Sequence, residues 1–214
     1  MLESLAVSLL GNISGLASTQ PGSYFLQKMV NILGNKHPTS EALHILTDEM
    51  IRDLFQVKPF STLLYSDVCI QLASTEPGSR LVQKVVRNSQ DAHLLLSIIR
   101  WIEENLQYVV VNSSAVFLAM TVLEKLVKRT RKDKVWANRL ETFASQFTES
   151  EENLLMVAAL NPTGHLLVKM ILANLKLLSE VKQSEVIRCL AKNVDTLVST
   201  KTGAVLLKEI ENIM

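Results

Sequence analysis

Apolar residues recur along this chain at helical rather than alternating spacing. Phe25, Leu26, Met29, Val30 and Leu33 form one stripe of a helix, and Leu81, Val82, Val85 and Val86 repeat the same phase. Each stripe follows a short polar segment and is preceded by another apolar run. The pattern predicts preceding helices over Met1–Leu16, Phe60–Ala73, His93–Val111, Asn153–Leu160 and Ser184–Val198. Glu41–Phe55 and Lys134–Phe147 read as additional amphipathic helices, and Asn35–Ser40, with its His-Pro, as a loop.

The polar segments are copies of one another. Leu16 to Gln27 reads LASTQPGSYFLQ, Leu72 to Gln83 reads LASTEPGSRLVQ, and Leu197 to Lys208 reads LVSTKTGAVLLK. Ala158 to Lys169 (AALNPTGHLLVK) and Val109 to Met120 (VVVNSSAVFLAM) fit the same frame, although the last could slide to place Ala119 where the others have glycine. In each copy an apolar helix runs into Ser-Thr or Asn, followed in most by Pro or Thr and then Gly. Ser, Thr and Asn accept the orphan N–H groups of a helix start, and Pro suits its first turn. The segment therefore ends one helix and begins the next. With Gly22, Gly78, Ala115, Gly164 and Gly203 as reference positions, the successive intervals are 56, 37, 49 and 39 residues. Repeats of roughly 20–50 residues mark solenoids and related arrays, and the two longer intervals imply inserted helices or loops.

Composition agrees with helices. Only seven glycines and five prolines are available for turns, and the 48% hydrophobic content includes just 5% aromatic residues. Charge is nearly balanced, 22 Lys and Arg against 21 Asp and Glu, which argues mildly against a wholly electrostatic nucleic-acid binder but leaves a local basic face open. Cys69 and Cys189 stand in apolar helical stretches and read as buried small hydrophobes, so a reducing, intracellular setting is expected. The first sixteen residues carry Glu3 and Asn12 and lack the basic start of a signal peptide, and no apolar run reaches membrane-spanning length.

A second helix opening with Gly-Ser-x-x-x-Gln resembles the PUF, or Pumilio-like, RNA-binding repeat. Gly22-Ser23-Tyr24-Phe25-Leu26-Gln27-Lys28 and Gly78-Ser79-Arg80-Leu81-Val82-Gln83-Lys84 carry the resemblance. It implies an all-α fold: one domain over residues 1–214, a right-handed α-solenoid of about five paired-helix repeats. It also implies single-stranded RNA on the concave helix face, each repeat reading about one base with two or three side chains. The base-edge pairs would be Ser23 with Gln27 and Ser79 with Gln83, a small residue with Gln resembling an adenine-reading combination. Tyr24 and Arg80 would stack on bases. The later repeats depart, with Val116, Phe117 and Met120, then His165, Leu166 and Lys169, then Ala204, Val205 and Lys208. Lys169 and Lys208 could meet phosphates without specifying sequence, and His165 also suits a helix start. The style of the repeat resembles the nucleolar, ribosome-biogenesis branch, so the nucleus and nucleolus stand beside the cytoplasm as expected compartments.

Each of these residues has a plainer reading. Gln is a good helix former, Ser favours a first turn, and Tyr24 and Arg80 suit an ordinary surface. If base reading is lost, the same fold is a protein-interaction scaffold, with Val116, Phe117, Met120 and Leu166 as partner contacts. The basic run Lys125, Lys128, Arg129, Arg131, Lys132, Lys134 reads as a solvated helix end, or else as a phosphate patch or nuclear-import signal. Glu149, Glu151 and Glu152 decorate a helix start, and Met120, Met156 and Met170 read as core filler. No nucleotide-binding loop or nucleophile elbow is present, and His37, His44, His93 and His165 show no metal spacing. The expectation is a binding protein, neither an enzyme nor a carrier of metal or small-molecule cofactor.

Overall fold

The structure is a computed structural model that describes residues 2–17, 19–36, 41, 43–46, 73–150 and 153–212. The expected helix Phe60–Ala73, most of Glu41–Phe55 and the loop beyond Lys36 lie outside the described residues, as do His37, Cys69, Glu151 and Glu152. Every regular element among the described residues is helical. The chain divides into two compact units, Met1–Trp101 and Ile102–Met214.

In the first unit, α1 (Leu2–Ser8) and α2 (Ile13–Ala17) precede α3 (Gln20–Lys36), which packs against α4 (Glu76–Asn88). Helix α5 (Ala92–Glu104) crosses the boundary between units. The second unit continues with α6 (Leu106–Val111), α7 (Ser113–Thr130), α8 (Val135–Thr148), α9 (Leu154–Leu160) and α10 (Gly164–Ala173). A single 3-10 turn at Leu175–Leu177 leads to α11 (Glu180–Ala191), α12 (Val194–Val198) and α13 (Lys201–Glu211). Each later repeat is thus a longer helix, a short one, and then the helix that carries the reference position.

The paired-helix expectation holds with one refinement: in three of the described pairs the first member is broken, whereas Asn153–Leu160 is one helix, α9. Met1–Leu16 divides at Gly11, whose φ of 82° lies in the left-handed region that glycine adopts without strain. His93–Val111 divides at Asn105 and Ser184–Val198 at Lys192–Asn193. Lys134–Phe147 corresponds to α8, which is no insertion: it holds the same place in its repeat that α11 holds in the next. The length of the preceding interval comes largely from α7, whose 18 residues exceed the 10 of α10 and the 11 of α13.

The repeated turn is a cap-and-contact device. Thr19, Thr75, Asn112, Asn161 and Thr200 each accept the backbone N–H of the reference residue three positions on, at 2.9–3.2 Å. The Asn112 bond to Ala115 fixes the frame of the third repeat and removes the alternative at Ala119. Once capped, the new helix lies directly against the short helix before it. A Cβ on Gly22 or Gly203 would collide with the carbonyl oxygen of Leu16 or Leu197. One on Gly164 would stand 2.6 Å from the Val110 carbonyl oxygen and 2.8 Å from that of Ala158. Ala115 shows that the third repeat leaves room for a methyl, and it is fully buried.

The cores follow from the stripes. Ile13, Leu26, Val30, Leu33, Leu81 and Val85 close the first unit, and Leu118, Val122, Phe143, Phe147, Leu155, Leu167 and Leu206 the second. No single described helix is long and apolar enough to cross a membrane; α9 and α10, apolar together, are bent by 114° at their junction.

Gly203→Ala is expected to destabilise the protein by about 1–3 kcal/mol, since backbone must shift to admit the methyl. Ala115→Gly is expected to cost less, about 0.5–1 kcal/mol, through helix propensity and backbone entropy. Chemical denaturation of both variants checks the order.

Candidate nucleic-acid interface

The candidate contact positions are the first two turns of α3 and α4 in the first unit and, separately, of α7, α10 and α13 in the second, where five copies of one local geometry can be compared. In every copy the reference residue is buried, and Gly22, Gly164 and Gly203 lie against the preceding short helix. The next residue is drawn towards that contact. The one after it lies about 100° further round the helix and emerges.

In the first unit Ser23 is completely buried and Ser79 nearly so. Ser23 Oγ donates to the Pro77 carbonyl at 2.6 Å, joining α3 to the start of α4. Its oxygen accepts from Gln27 Nε2 at 3.1 Å, and Ser79 accepts from Gln83 Nε2 at 3.0 Å. The two Ser–Gln pairs therefore share one internal arrangement. With its own proton given to Pro77, Ser23 must receive from Gln27, so the amide nitrogen faces the serine and Oε1 faces away. Both glutamines are half-buried.

Tyr24 is 61% exposed, and Lys28 Nζ sits 5.4 Å from its ring centroid. Arg80 is exposed and ion-paired with Glu76 one turn earlier. An aromatic ring and a guanidinium thus stand at equivalent places beside the two glutamines, each steadied by a neighbour at i,i+4. Glu76 and Lys28 were not singled out in the sequence; their four-residue spacing from Arg80 and Tyr24 is the signal that finds them.

The second unit keeps the geometry and changes the chemistry. Helix α7 packs beside α10, and α10 beside α13. Val116 is fully buried and so cannot be a partner contact: it occupies the inward place that Ser23 and Ser79 hold in the first unit. Phe117 is 44% exposed, Met120 and Leu166 are half-buried, and Val205 is 42% exposed. His165 is half-buried with Nδ1 enclosed and without a hydrogen-bond partner. Lys169 is exposed but pairs with Glu209 at 2.5 Å, which holds its charge on the protein, whereas Lys208 is exposed. The sequence placed Val205 at the reading turn of the fifth repeat and missed Glu209. Val205 sits two residues beyond Gly203, as Tyr24 does beyond Gly22.

Other expectations resolve individually. Met156 is buried as core filler, while Met120 and Met170 are only half-buried. Cys189 is also half-buried rather than buried; its thiol donates to Asn153 Oδ1 at 3.0 Å, and burial raises its pKa. With Asn153, Glu185, Arg188 and Lys192 it lines a cavity of about 290 Å³ on the α9 and α11 side. No group of three or more His, Cys, Asp or Glu among the described residues is placed to hold a metal ion.

No protein-family model and no curated protein matches this sequence significantly. Solved structures do match. A Puf4 double mutant bound to the Cox17 RNA 3′ UTR recognition sequence superposes with a TM-score of 0.67 at 13% identity, over 98% of this chain and 59% of that one. PUF-6 in complex with an RNA gives 0.67 at 14% identity, over 98% and 51%. The Puf4 RNA-binding domain bound to the HO endonuclease RNA 3′ UTR recognition sequence gives 0.57 at 15%, over 95% and 63%. The chain therefore spans roughly half to three-fifths of the length of the structures it matches. Its fold is PUF-like, an all-α solenoid of helical repeats.

Proposed function

We propose that this chain is an RNA-binding repeat module that holds single-stranded RNA on the first turns of its reference helices, without catalysis. The observation that carries the reading is the pair of identical Ser–Gln arrangements beside Tyr24 and Arg80. Pinned by Ser23, the Gln27 amide keeps one acceptor, Oε1, and one N–H for a ligand. That is the pattern a glutamine uses in bidentate contact with adenine, accepting from the exocyclic amine and donating to a ring nitrogen. Tyr24 and Arg80 supply stacking planes for the same bases. Ser23 acts as a positioning residue here rather than a base reader, because its hydroxyl is buried and its proton is committed to Pro77. The solved structures of like fold are RNA complexes, which supports the reading at the level of ligand class.

In the second unit the stacking places carry Phe117, Leu166 and Val205, and hydrogen-bonding groups give way to Met120, Lys169 and Lys208. This favours backbone and stacking contacts there, with Lys208 on phosphate. The partly exposed apolar side chains also favour a second reading, an apolar peptide held on α7, α10 and α13. A role in RNA processing or ribosome biogenesis, in a reducing nuclear or cytoplasmic compartment, belongs to the same proposal. It rests on the style of the repeat and on cysteines taken as thiols.

Binding to a randomised single-stranded RNA pool at two salt concentrations tests the reading: a short enriched motif containing adenine is expected. Gln27→Ala with Gln83→Ala is expected to weaken binding to that motif by about 1–3 kcal/mol per site. Unchanged affinity would remove both residues from recognition. Ser23→Ala is expected to cost about 1 kcal/mol of stability, because the fully buried hydroxyl's bonds to Pro77 and Gln27 are lost. It should also relax preference at one position of the motif, read by competition between RNAs differing there. Phe117→Ala is expected to weaken RNA binding by about 1–3 kcal/mol through lost stacking. If the protein retains no RNA at low salt but binds apolar peptides in a Phe117-dependent way, the second reading replaces the first.

A further inference from the structure

Six cations fall within the ten residues 125–134, at the end of the longest described helix of the second unit. Lys128, Arg131, Lys132 and Lys134 are exposed, and Lys125 and Arg129 half-buried. The neighbouring acids leave most of the exposed cations unneutralised. Glu124 pairs with Lys128 at 2.6 Å, and Asp133 turns one carboxylate oxygen to the Val135 N–H at 2.9 Å. Lys132 and Lys134 have no acidic partner among the described residues. Burial, together with the charges of Arg129, Lys128 and Lys132, lowers the Lys125 pKa, as expected where cations crowd.

The cluster is also held in place. The Arg129 guanidinium lies 4.6 Å from the Trp136 ring centroid, stacking the end of α7 on the start of α8. Thr130 Oγ1 lies 3.0 Å from the Leu126 carbonyl oxygen and 3.2 Å from that of Trp136, its one proton serving both at the same turn. Arg131 reaches Asn174 Oδ1 at 3.4 Å, two residues before the exposed Lys176. A solvated helix end needs one or two cations for its dipole. Six, two of them fixed by an indole and an asparagine, exceed that need.

We propose that this turn is a second RNA contact, a sequence-independent dock for the phosphate backbone, separate from the base-contacting turns. The inference rests on the RNA-binding reading. Helix α7 carries both features: Phe117 near its start and Lys128 eleven residues on, about 16 Å along the axis. A base at Phe117 and its own phosphate do not span that distance, so the cluster meets RNA flanking the contacted segment. Lysine and arginine without base-edge partners bind phosphate and release counterions, so the contact adds affinity and salt dependence but no sequence preference.

The test uses the intact chain and two RNAs: the short motif enriched from the pool, and that motif extended on both sides by unrelated sequence. Lys128→Gln with Lys132→Gln and Lys134→Gln is compared with Arg188→Gln and Lys192→Gln, exposed cations elsewhere on the second unit. The triple variant is expected to keep its affinity for the short RNA. It should bind the extended RNA at least about tenfold more weakly at low salt, with the log–log salt slope shallower by about 2. The control variant should bind both RNAs as the unaltered protein does. Circular dichroism and melting confirm folding, since the replaced side chains are solvent-facing. Loss per charge as large in the control, or an unchanged slope in the triple variant, overturns the dock and leaves the base-contacting reading standing. Failure of the unaltered protein to bind either RNA overturns both. Lysine-dependent binding to anionic lipid vesicles, without a difference between the two RNAs, overturns the dock in favour of a membrane surface.

Discussion

The close approach of a reference helix to the short helix before it, seen wherever both are described, is the constraint on which the rest of the repeat depends. A capped turn delivers the chain into that approach, and a residue with little or no side chain permits it. Gly22, Gly164 and Gly203 stand where a Cβ would meet backbone rather than a yielding side chain. The cap and the missing side chain act together. The cap satisfies the N–H of the very residue whose side chain must be absent, so one three-residue spacing sets both hydrogen bonding and packing. From this contact the exposure of the following positions is fixed by helical rotation. The first goes in, the second comes out, and the fifth returns beside the first.

That rotation explains which parts of the candidate interface were legible in the sequence. The Ser-Thr and Asn caps, the turn and the apolar stripes were readable because each rests on local chemistry, three to eight residues long. The inward course of Ser23, Ser79 and Val116 was not, because it depends on how deeply the reference residue sinks against its neighbour. A serine after glycine carries no mark of burial, and its role emerged only from the Pro77 carbonyl far along the chain. On the proposed reading, the tertiary contact turns Ser23 from a base reader into a support for its glutamine.

The breaks at Gly11, Asn105 and Lys192–Asn193 were obscured for a different reason. Apolar periodicity continues across them: Ile102 and Leu106 are both buried on either side of Asn105, although the helix is interrupted between them. A hydrophobic pattern reports which residues face a core, and two short helices bent round that core satisfy it as well as one long helix. Gly11 was the exception in principle, since a glycine before a polar residue marks a turn, yet glycine is also tolerated within helices. The number of helices per repeat is therefore a property of packing, while their placement in sequence is a property of the stripe.

The two units show how one scaffold can hold different chemistry. Ser–Gln pairs need a hydroxyl at the inward position and an amide four residues later, and only α3 and α4 have both. At the same inward position α7 has valine, and α10 has a histidine whose Nδ1 finds no partner. Without a polar anchor, an amide at the fifth position would lose its fixed orientation and with it most of its power to discriminate bases. The residues found there, Met120, Lys169 and Lys208, are those for which orientation matters little: a flexible thioether and two rotatable ammonium groups. Loss of the anchor and loss of the amide are then one change rather than two. On the proposed reading, base discrimination belongs to the first unit. The second unit supplies surface and charge, some of it gathered at the far end of α7, beyond the helical turn where bases would be read.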